Sequence, residues 1–463
     1  MTKDYETFLE NKRVIPQAAG FDIPESAINP MLFDWQRQIV RWAVKQGRAA
    51  LFEECGLGKT FQQVEWARIV AEHTGSRVLI LAPLAVAHQT VPEAARLGIG
   101  VKYCRSQDQA SAASERIIIT NYDMLSAFDA EEWGGVVLDE SSILKAYNGT
   151  TRKQITDAFA NTPYRLACTA TPAPNDHMEL GNHAEFLGLI GRNEMLATWF
   201  KHDGGETSTW RLKRHGESDF WRWVTSWAVC VSKPSDIGFA DDGFDLTPLV
   251  LHEHVVATDH SRAQEQGMLF VDGTISATAM YAERRHSLNA RCDTAVSLVN
   301  ATPDDPWIVW CDTNDEADYL RKALPSAVEV RGSDTFAAKE KRLSAFSDHE
   351  VNQIITKPEI AGFGLNWQHC ANMAFVGVTY SFEKTYQALR RSWRFGQTRP
   401  VNAHMIYAES EGNIRKALQD KQVAHTEMQT KMNHAMREHG LVQDARAKSV
   451  YQPKARIVMP SFL

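Results

Sequence analysis

Gly56, Gly58, Lys59 and Thr60 lie together in the stretch LFEECGLGKTFQ, Leu51 to Gln62, and their types and spacing are those of a phosphate cradle. Glycines let backbone N–H groups curl round a phosphate, a lysine reaches the β- and γ-phosphates, and a threonine hydroxyl holds Mg²⁺. The full pattern G-x-x-x-x-G-K-[ST] asks for a glycine where this chain has Glu53. Half a pattern also fits a glycine turn before an ordinary helix, so the rest of the chain must decide. Farther on, GGVVLDESSILK sets Asp139 and Glu140 at the end of an apolar run. An acid pair at that edge of an α/β sheet suits ATP hydrolysis: Asp139 would hold Mg²⁺, directly or through water, while Glu140 would orient and deprotonate the attacking water. Farther still, in YQALRRSWRFGQTRPV, Gln387, Arg391 and Arg394 keep the i, i+4, i+7 spacing of one helical face. An arginine there cannot lose its charge and suits the neutralisation of charge developing on a γ-phosphate.

Such groups work only if rigid elements hold them. The lead AALF reads as a strand and GKTFQQVEWARIVAEH as a helix with Phe61, Val64, Ala67 and Ile69 or Val70 on its apolar face. Strand, glycine loop and helix N-terminus together make an anion site. From about 31 to 180, apolar runs at VLILAP, RIIITNY, GGVVLDE and YRLACTATP alternate with helical stretches. A second alternation from about 247 to 410 has PWIVWC, AVEVRG, NQIITKP, ANMAFVG and VNAHMIY as strands, with NDEADYLRKAL and AAKEKRLSAF as helices. This predicts an α/β protein of two parallel-sheet lobes. Between them, about 181 to 246 reads as a Trp-rich, mainly helical insertion, and residues 1 to 30 as an N-terminal segment. The last part, 411 to 463, holds a long helical stretch with Met428, Met432 and Met436 at i, i+4 spacing, a packing stripe that predicts a bracing helix before a tail.

Composition excludes several classes. The chain has 463 residues, 44% hydrophobic and 23% charged, and a net charge of −7, which argues against non-specific coating of nucleic acid but not against a local basic groove. Seven scattered cysteines without a C-x-x-C pair indicate neither a disulfide framework nor a zinc site. No apolar run is long enough to span a membrane, and the charged start MTKDYETFLENKR is unlike a secretory signal, so a cytoplasmic protein is expected.

The motifs in order resemble those of the Swi/Snf-related branch of helicase superfamily two, the DNA-stimulated ATPases. EECGLGKT resembles that family's motif I, which commonly reads D-E-x-G-L-G-K-T without the first glycine; LDESS resembles motif II, TATP motif III, EIAGFGLNWQHC motif V and YQALRRSWRFGQTRPV motif VI. The resemblance implies two RecA-like lobes with an ATP cleft between them, ATP and Mg²⁺ as cofactors, and the arginine pair Arg391 and Arg394 reaching from the second lobe to ATP held by the first. It further implies Gln36, in LFDWQRQIV, as an adenine reader, the alternative being a solvated glutamine on an amphipathic helix. Gly362 and Gly364 would bring backbone close to a phosphate or be a plain glycine turn, and Asn366 is a candidate hydrogen bonder to nucleic acid. Thr120 and Tyr122, in a segment that resembles motif Ib, would touch the sugar-phosphate chain. Ser142 stands where the DEAH pattern has histidine, a departure whose hydroxyl could donate to Thr169 or to a water.

The tryptophans of the insertion could stack on unpaired bases or build a core. Their spacing predicts Phe220, Trp223 and Trp227 as core, Trp221 projecting elsewhere, and Trp210, beside Arg211, Lys213 and Arg214, as the one that meets nucleic acid. The expected activity is that of a monomeric, ATP-driven translocase on double-stranded DNA, of the compact kind that phage and bacterial genomes encode. A strand-separating helicase and a non-hydrolysing ATP-gated clamp are the rival readings.

Overall fold

The computed structural model describes residues 16, 18–145, 149–174, 176–202, 210–257, 285–361, 365–377, 381–439 and 441. In the first lobe the aliphatic runs become strands β1 (Arg48–Glu53), β2 (Arg77–Ala82), β3 (Val101–Tyr103), β4 (Ile117–Asn121), β5 (Trp133–Asp139) and β6 (Tyr164–Thr169). After a short antiparallel hairpin, β7 (Phe200–His202) with β8 (Trp210–Leu212), comes β9 (Ala228–Val231). The sheet runs β3-β4-β2-β5-β6-β1-β9, and every pairing in it is parallel. Parallel strands need crossovers that cover both faces, which is why these segments read as unbroken apolar runs.

The second lobe has β10 (Leu249–Val256), β11 (Trp307–Trp310), β12 (Val328–Glu329), β13 (Gln353–Thr356), β14 (Asn372–Phe375) and β15 (Val401–Ala408), again all parallel, in the order β10-β15-β14-β11-β13-β12. The run AVEVRG yields only the two residues of β12, at the sheet's edge. The two-lobe α/β expectation therefore stands. No helix among the described residues is long and apolar enough to cross a membrane.

One boundary needs correction. The stretch 181–246 is not a body of its own, because β9 lies beside β1 in register Ala50↔Ala228 to Glu53↔Val231 and completes the first sheet. A four-residue apolar run cannot be told from buried helix by pattern alone, and the tryptophans before it obscured the strand. Phe220, Trp223 and Trp227 are buried, as their spacing predicts, but so is Trp221, whose ring meets His177 edge-on at 5.3 Å. All four join the first lobe's core. Trp223 stacks on Trp199 at 4.6 Å, so Trp223→Ala should remove about 3 to 5 kcal/mol of stability, read as a fall in melting temperature. A variant that melts with the wild type would contradict the packing.

The helix Gly412–His439 ties the two lobes. Met428, Met432, Ala435 and Met436 sit in the first lobe's core, while Ile414 and Leu418 sit in the second's. Its methionine stripe is thus packing, and the helix braces the lobes as expected.

Candidate active site at the junction of the lobes

The strand order β5-β6-β1 brings the ends of three motif-bearing strands to one edge, with Phe52 level with Thr169 and Asp139 level with Cys168. From the end of β1 the chain turns through Gly56, φ +93°, and Gly58, φ +79°, into the helix Lys59–Thr74. Both glycines have a steric reason. A Cβ on Gly58 would come within 2.5 Å of Gln36 Nε2, and one on Gly56 within 3.1 Å of Phe395 Cδ2 from the other lobe. The left-handed backbone adds its own penalty for any other residue.

Lys59 folds over the loop, its Nζ donating to the carbonyls of Glu53 at 2.7 Å and Glu54 at 3.1 Å. Gln36 is buried and braces the same loop: Nε2 donates to Leu57 O at 2.8 Å, while Oε1 accepts from Phe33 N at 3.0 Å. Asp139 is also buried and is held by two donors, Gln63 Nε2 at 2.8 Å and Glu140 N at 3.0 Å. Glu140 adopts φ +54°, a left-handed conformation that costs a non-glycine residue of order 1 to 3 kcal/mol, and this turn aims its carboxylate toward the second lobe. There Gln387 Nε2 donates to Glu140 Oε2 at 3.4 Å. Burial raises the carboxyl pKa of both Asp139 and Glu140, and in Glu140 the Asp139 charge raises it further, while Lys59 and Arg391 pull it down.

Arg391 is buried, its Nε donating to Gln387 O at 2.9 Å and Nη1 to Leu365 O at 3.0 Å. Arg394 has one long bond, Nη1 to Leu365 O at 3.5 Å, and its buried Nε has no partner among the described residues. Burial first, and the neighbouring Arg391 charge next, push the Arg394 pKa down to about 10. Arg391 and Arg394 thus share the Leu365 carbonyl, the first buried and the second half-buried.

The cleft therefore fits ATP and Mg²⁺ on its own chemistry. Lys59, Arg391 and Arg394 are cations resting on neutral oxygens, and Thr60, Asp139 and Glu93 are oxygen donors near them. The Glu93 carboxyl pKa is raised by burial and lowered by bonds from Gln89 and Thr60, which sets Glu93 beside the threonine hydroxyl. No cluster of three or more His, Cys, Asp or Glu able to hold a metal occurs among the described residues; Mg²⁺ takes one or two carboxylates and completes its shell with water and phosphate.

Other sequence-predicted residues fall differently. Thr120 is fully buried, and the Tyr122 hydroxyl donates to Asp139 O at 2.7 Å, so both hydroxyls face inward to the lobe and neither is offered to a strand. Their expected contacts are corrected: the end of β4 packs beside β2, and Tyr122 braces motif II. Trp210 is half-buried, packed against the first lobe's core. Asn366 is exposed, its Oδ1 accepting from Gln368 N at 3.4 Å. Gly362 and Gly364 lie outside the described residues. Thr169 Oγ1 accepts from Thr171 N at 3.1 Å, closing its own turn. It is Ser141, beside Ser142, that reaches out, its Oγ 3.1 Å from His183 Nε2.

Residues that sequence reasoning missed all serve these groups: Gln63, Glu93, Tyr386, Arg390 and Glu383. Gln63 stands four residues after Lys59, and Arg390 four after Tyr386, so helical spacing offered a signal for both. Glu383 pairs with Lys145 and accepts from Thr171 Oγ1 at 3.4 Å, joining the second lobe to the turns after motifs II and III.

Residues 35–214 match the SNF2-related domain, and residues 290–396 match the helicase conserved C-terminal domain. A phage relative, protein p41 of Acyrthosiphon pisum secondary endosymbiont phage 1, is 23% identical over 455 residues, covering 83% of this chain and 96% of p41. Helicase SWR1 of Yarrowia lipolytica is 27% identical over 207 residues, 40% of this chain and 12% of that protein. The chromatin-remodeling ATPase INO80 of Pyricularia oryzae is 26% identical over 202 residues, 37% of this chain and 10% of that protein. This chain thus spans about a tenth of those remodelers and nearly all of p41. A solved Sulfolobus solfataricus SWI2/SNF2 ATPase core in complex with dsDNA aligns at TM-score 0.43 and 16% identity, covering 89% of this chain and 96% of that one.

Proposed function

From the match of residues 35–214 to the SNF2-related domain and of 290–396 to the helicase conserved C-terminal domain, we propose that the chain is an ATP-driven motor on double-stranded DNA, a DNA-stimulated ATPase of helicase superfamily two in which lobe closure drives translocation. One observation carries the reading: Gln387 and Arg391 of the second lobe face Glu140 of the first, and Arg394 faces Glu93, which lies beside Thr60. A cleft assembled from two bodies is complete only when they close, so a ligand bridging it links chemistry to motion.

In this scheme the loop amides from Gly56 to Thr60 and the Lys59 ammonium bind the phosphates, with Gln36 fixing the loop at the adenine end. Gln63 holds Asp139 in place, and Glu140 takes a proton from the attacking water. Gln387 orients the Glu140 carboxylate, and Arg391 and Arg394 balance charge arising on the γ-phosphate. Mg²⁺, when bound by Thr60 and Asp139, would neutralise charge on the phosphate oxygens. Asn366, which is exposed, is the residue proposed to meet nucleic acid. The protein would act as a monomer in the cytoplasm of a bacterium or phage-infected cell.

Phosphate release measured with and without duplex DNA tests the proposal. Turnover should rise with DNA, and the rise should fade as salt increases, because contacts to the backbone release counterions. Equal rates with and without DNA at every salt concentration would exclude the motor and favour the ATP-gated clamp. A tailed duplex run on a gel separates translocation from strand separation.

A further inference from the structure

Glu54 is a charged residue in the phosphate loop that the hydrolytic scheme does not use, yet it is among the most heavily bonded side chains in the molecule. Oε1 accepts from Cys55 N at 2.7 Å and lies 3.6 Å from Arg390 Nη2. Oε2 accepts from Tyr386 Oη at 2.5 Å and from Gln429 Nε2 at 3.0 Å. These partners come from three places: the loop itself, the helix Phe382–Leu389 with the Arg390 that follows it, and the bracing helix Gly412–His439. Arg390 also donates from Nη2 to Cys55 O at 2.6 Å, so the second lobe grips the loop by side chain and backbone together. Arg390, Arg391 and Arg394 share one short segment, and Gly56 touches Phe395 at its end.

Nε and Nη1 of Arg390 are buried without a partner among the described residues, as are both ring nitrogens of His425, which packs on Tyr386 at 5.2 Å. A cavity of about 550 Å³ opens beside them, lined by Glu54, Tyr386, Arg390, Trp393, His425 and Gln429 among others. Arg390 itself lies over the rings of Trp393, at 4.9 Å, and Phe395, at 5.8 Å, beside that cavity. Buried charges left partly unsatisfied next to open space are costly to keep unless the arrangement alternates with another.

We propose that Glu54 is a latch by which the second lobe and the bracing helix hold the phosphate loop in its nucleotide-binding shape, with Tyr386, Arg390 and Gln429 as positioning residues. This rests on the reading of the loop as the ATP site. The latch forms only in the closed arrangement, so losing it lowers the fraction of molecules ready to bind, and apparent affinity falls by that fraction. Turnover at saturating ATP, which Glu140, Arg391 and Arg394 set, stays near the wild-type value.

The test uses the full chain with Mg²⁺ and N-methylanthraniloyl-ATP as the binding probe, alongside steady-state ATPase assays and melting temperature. Tyr386→Phe and Gln429→Leu should each weaken probe binding and raise KM by about three- to tenfold, with kcat changed by less than about twofold. Arg390→Met should weaken binding more, and Arg390→Lys should recover part of the loss. Tyr386→Phe, which deletes a single oxygen, decides the matter if Arg390→Met does not fold. Variants that melt lower but bind the probe like the wild type would overturn the latch and leave Glu54 a structural residue. If the wild-type protein itself fails to bind the probe, the ATP reading falls first.

Discussion

Glu140→Gln should bind ATP as the wild type does and hydrolyse it about 10² to 10⁴ times more slowly, the usual loss when a general base is removed. The substitution is nearly isosteric, and the amide can still meet Gln387 Nε2 through its oxygen, so the turn at φ +54° is preserved. What is lost is the ability to take a proton. The carboxyl pKa is raised by burial and by Asp139, which strengthens Glu140 as a base, while Lys59 and Arg391 pull it back down. Lys59→Ala is the contrasting control, because it removes the cation that reaches the phosphates and should lose turnover together with nucleotide affinity. Single-turnover hydrolysis and probe binding separate the two effects. A Glu140→Gln protein that hydrolyses at the wild-type rate would remove Glu140 from the role of base.

The parts of the site that were legible in the sequence are those whose chemistry is local. Gly56, Gly58, Lys59 and Thr60 need only a turn and a helix start, and Asp139 and Glu140 need only a strand end, so spacing along the chain places them. The parallel character of both sheets was legible for the same reason, since alternating apolar runs and helical stretches imply parallel strands. What escaped depends on contacts far apart in sequence. The strand β9 is apolar on both faces and short, and only its pairing with β1 reveals it. Thr120 and Tyr122 follow a segment that resembles a nucleic-acid motif, yet the depth of β4 and the reach of a phenol to Asp139 O decide where their hydroxyls go. Glu54 was passed over as part of a motif string, because nothing near it in the chain announces Tyr386, Arg390 and Gln429. Second-lobe residues that act on first-lobe residues are visible only once the lobes meet.

Arg394→Ala should lower kcat by about 10³ to 10⁵, the range for arginines that balance transferring phosphoryl charge, and Arg391→Ala should lower it less. The two differ in what already holds them. Arg391 spends Nε on Gln387 O and Nη1 on Leu365 O, bonds that fix the segment as well as the guanidinium. Arg394 has only the 3.5 Å bond to Leu365 O, and its buried Nε has no partner among the described residues. Its pKa is pushed down to about 10 by burial and by Arg391, with the Glu93 charge offsetting this only in part, so a further anion in front of it would be favourable. A cation in that state gains most when negative charge builds up in front of it, and that gain belongs to the transition state more than to bound ATP. The loss in Arg394→Ala should therefore appear in kcat and leave KM nearly unmoved, whereas Arg391→Ala should also lower the melting temperature through its bonds to Gln387 and Leu365. DNA-stimulated turnover that survives in both variants would exclude a cleft completed by the second lobe.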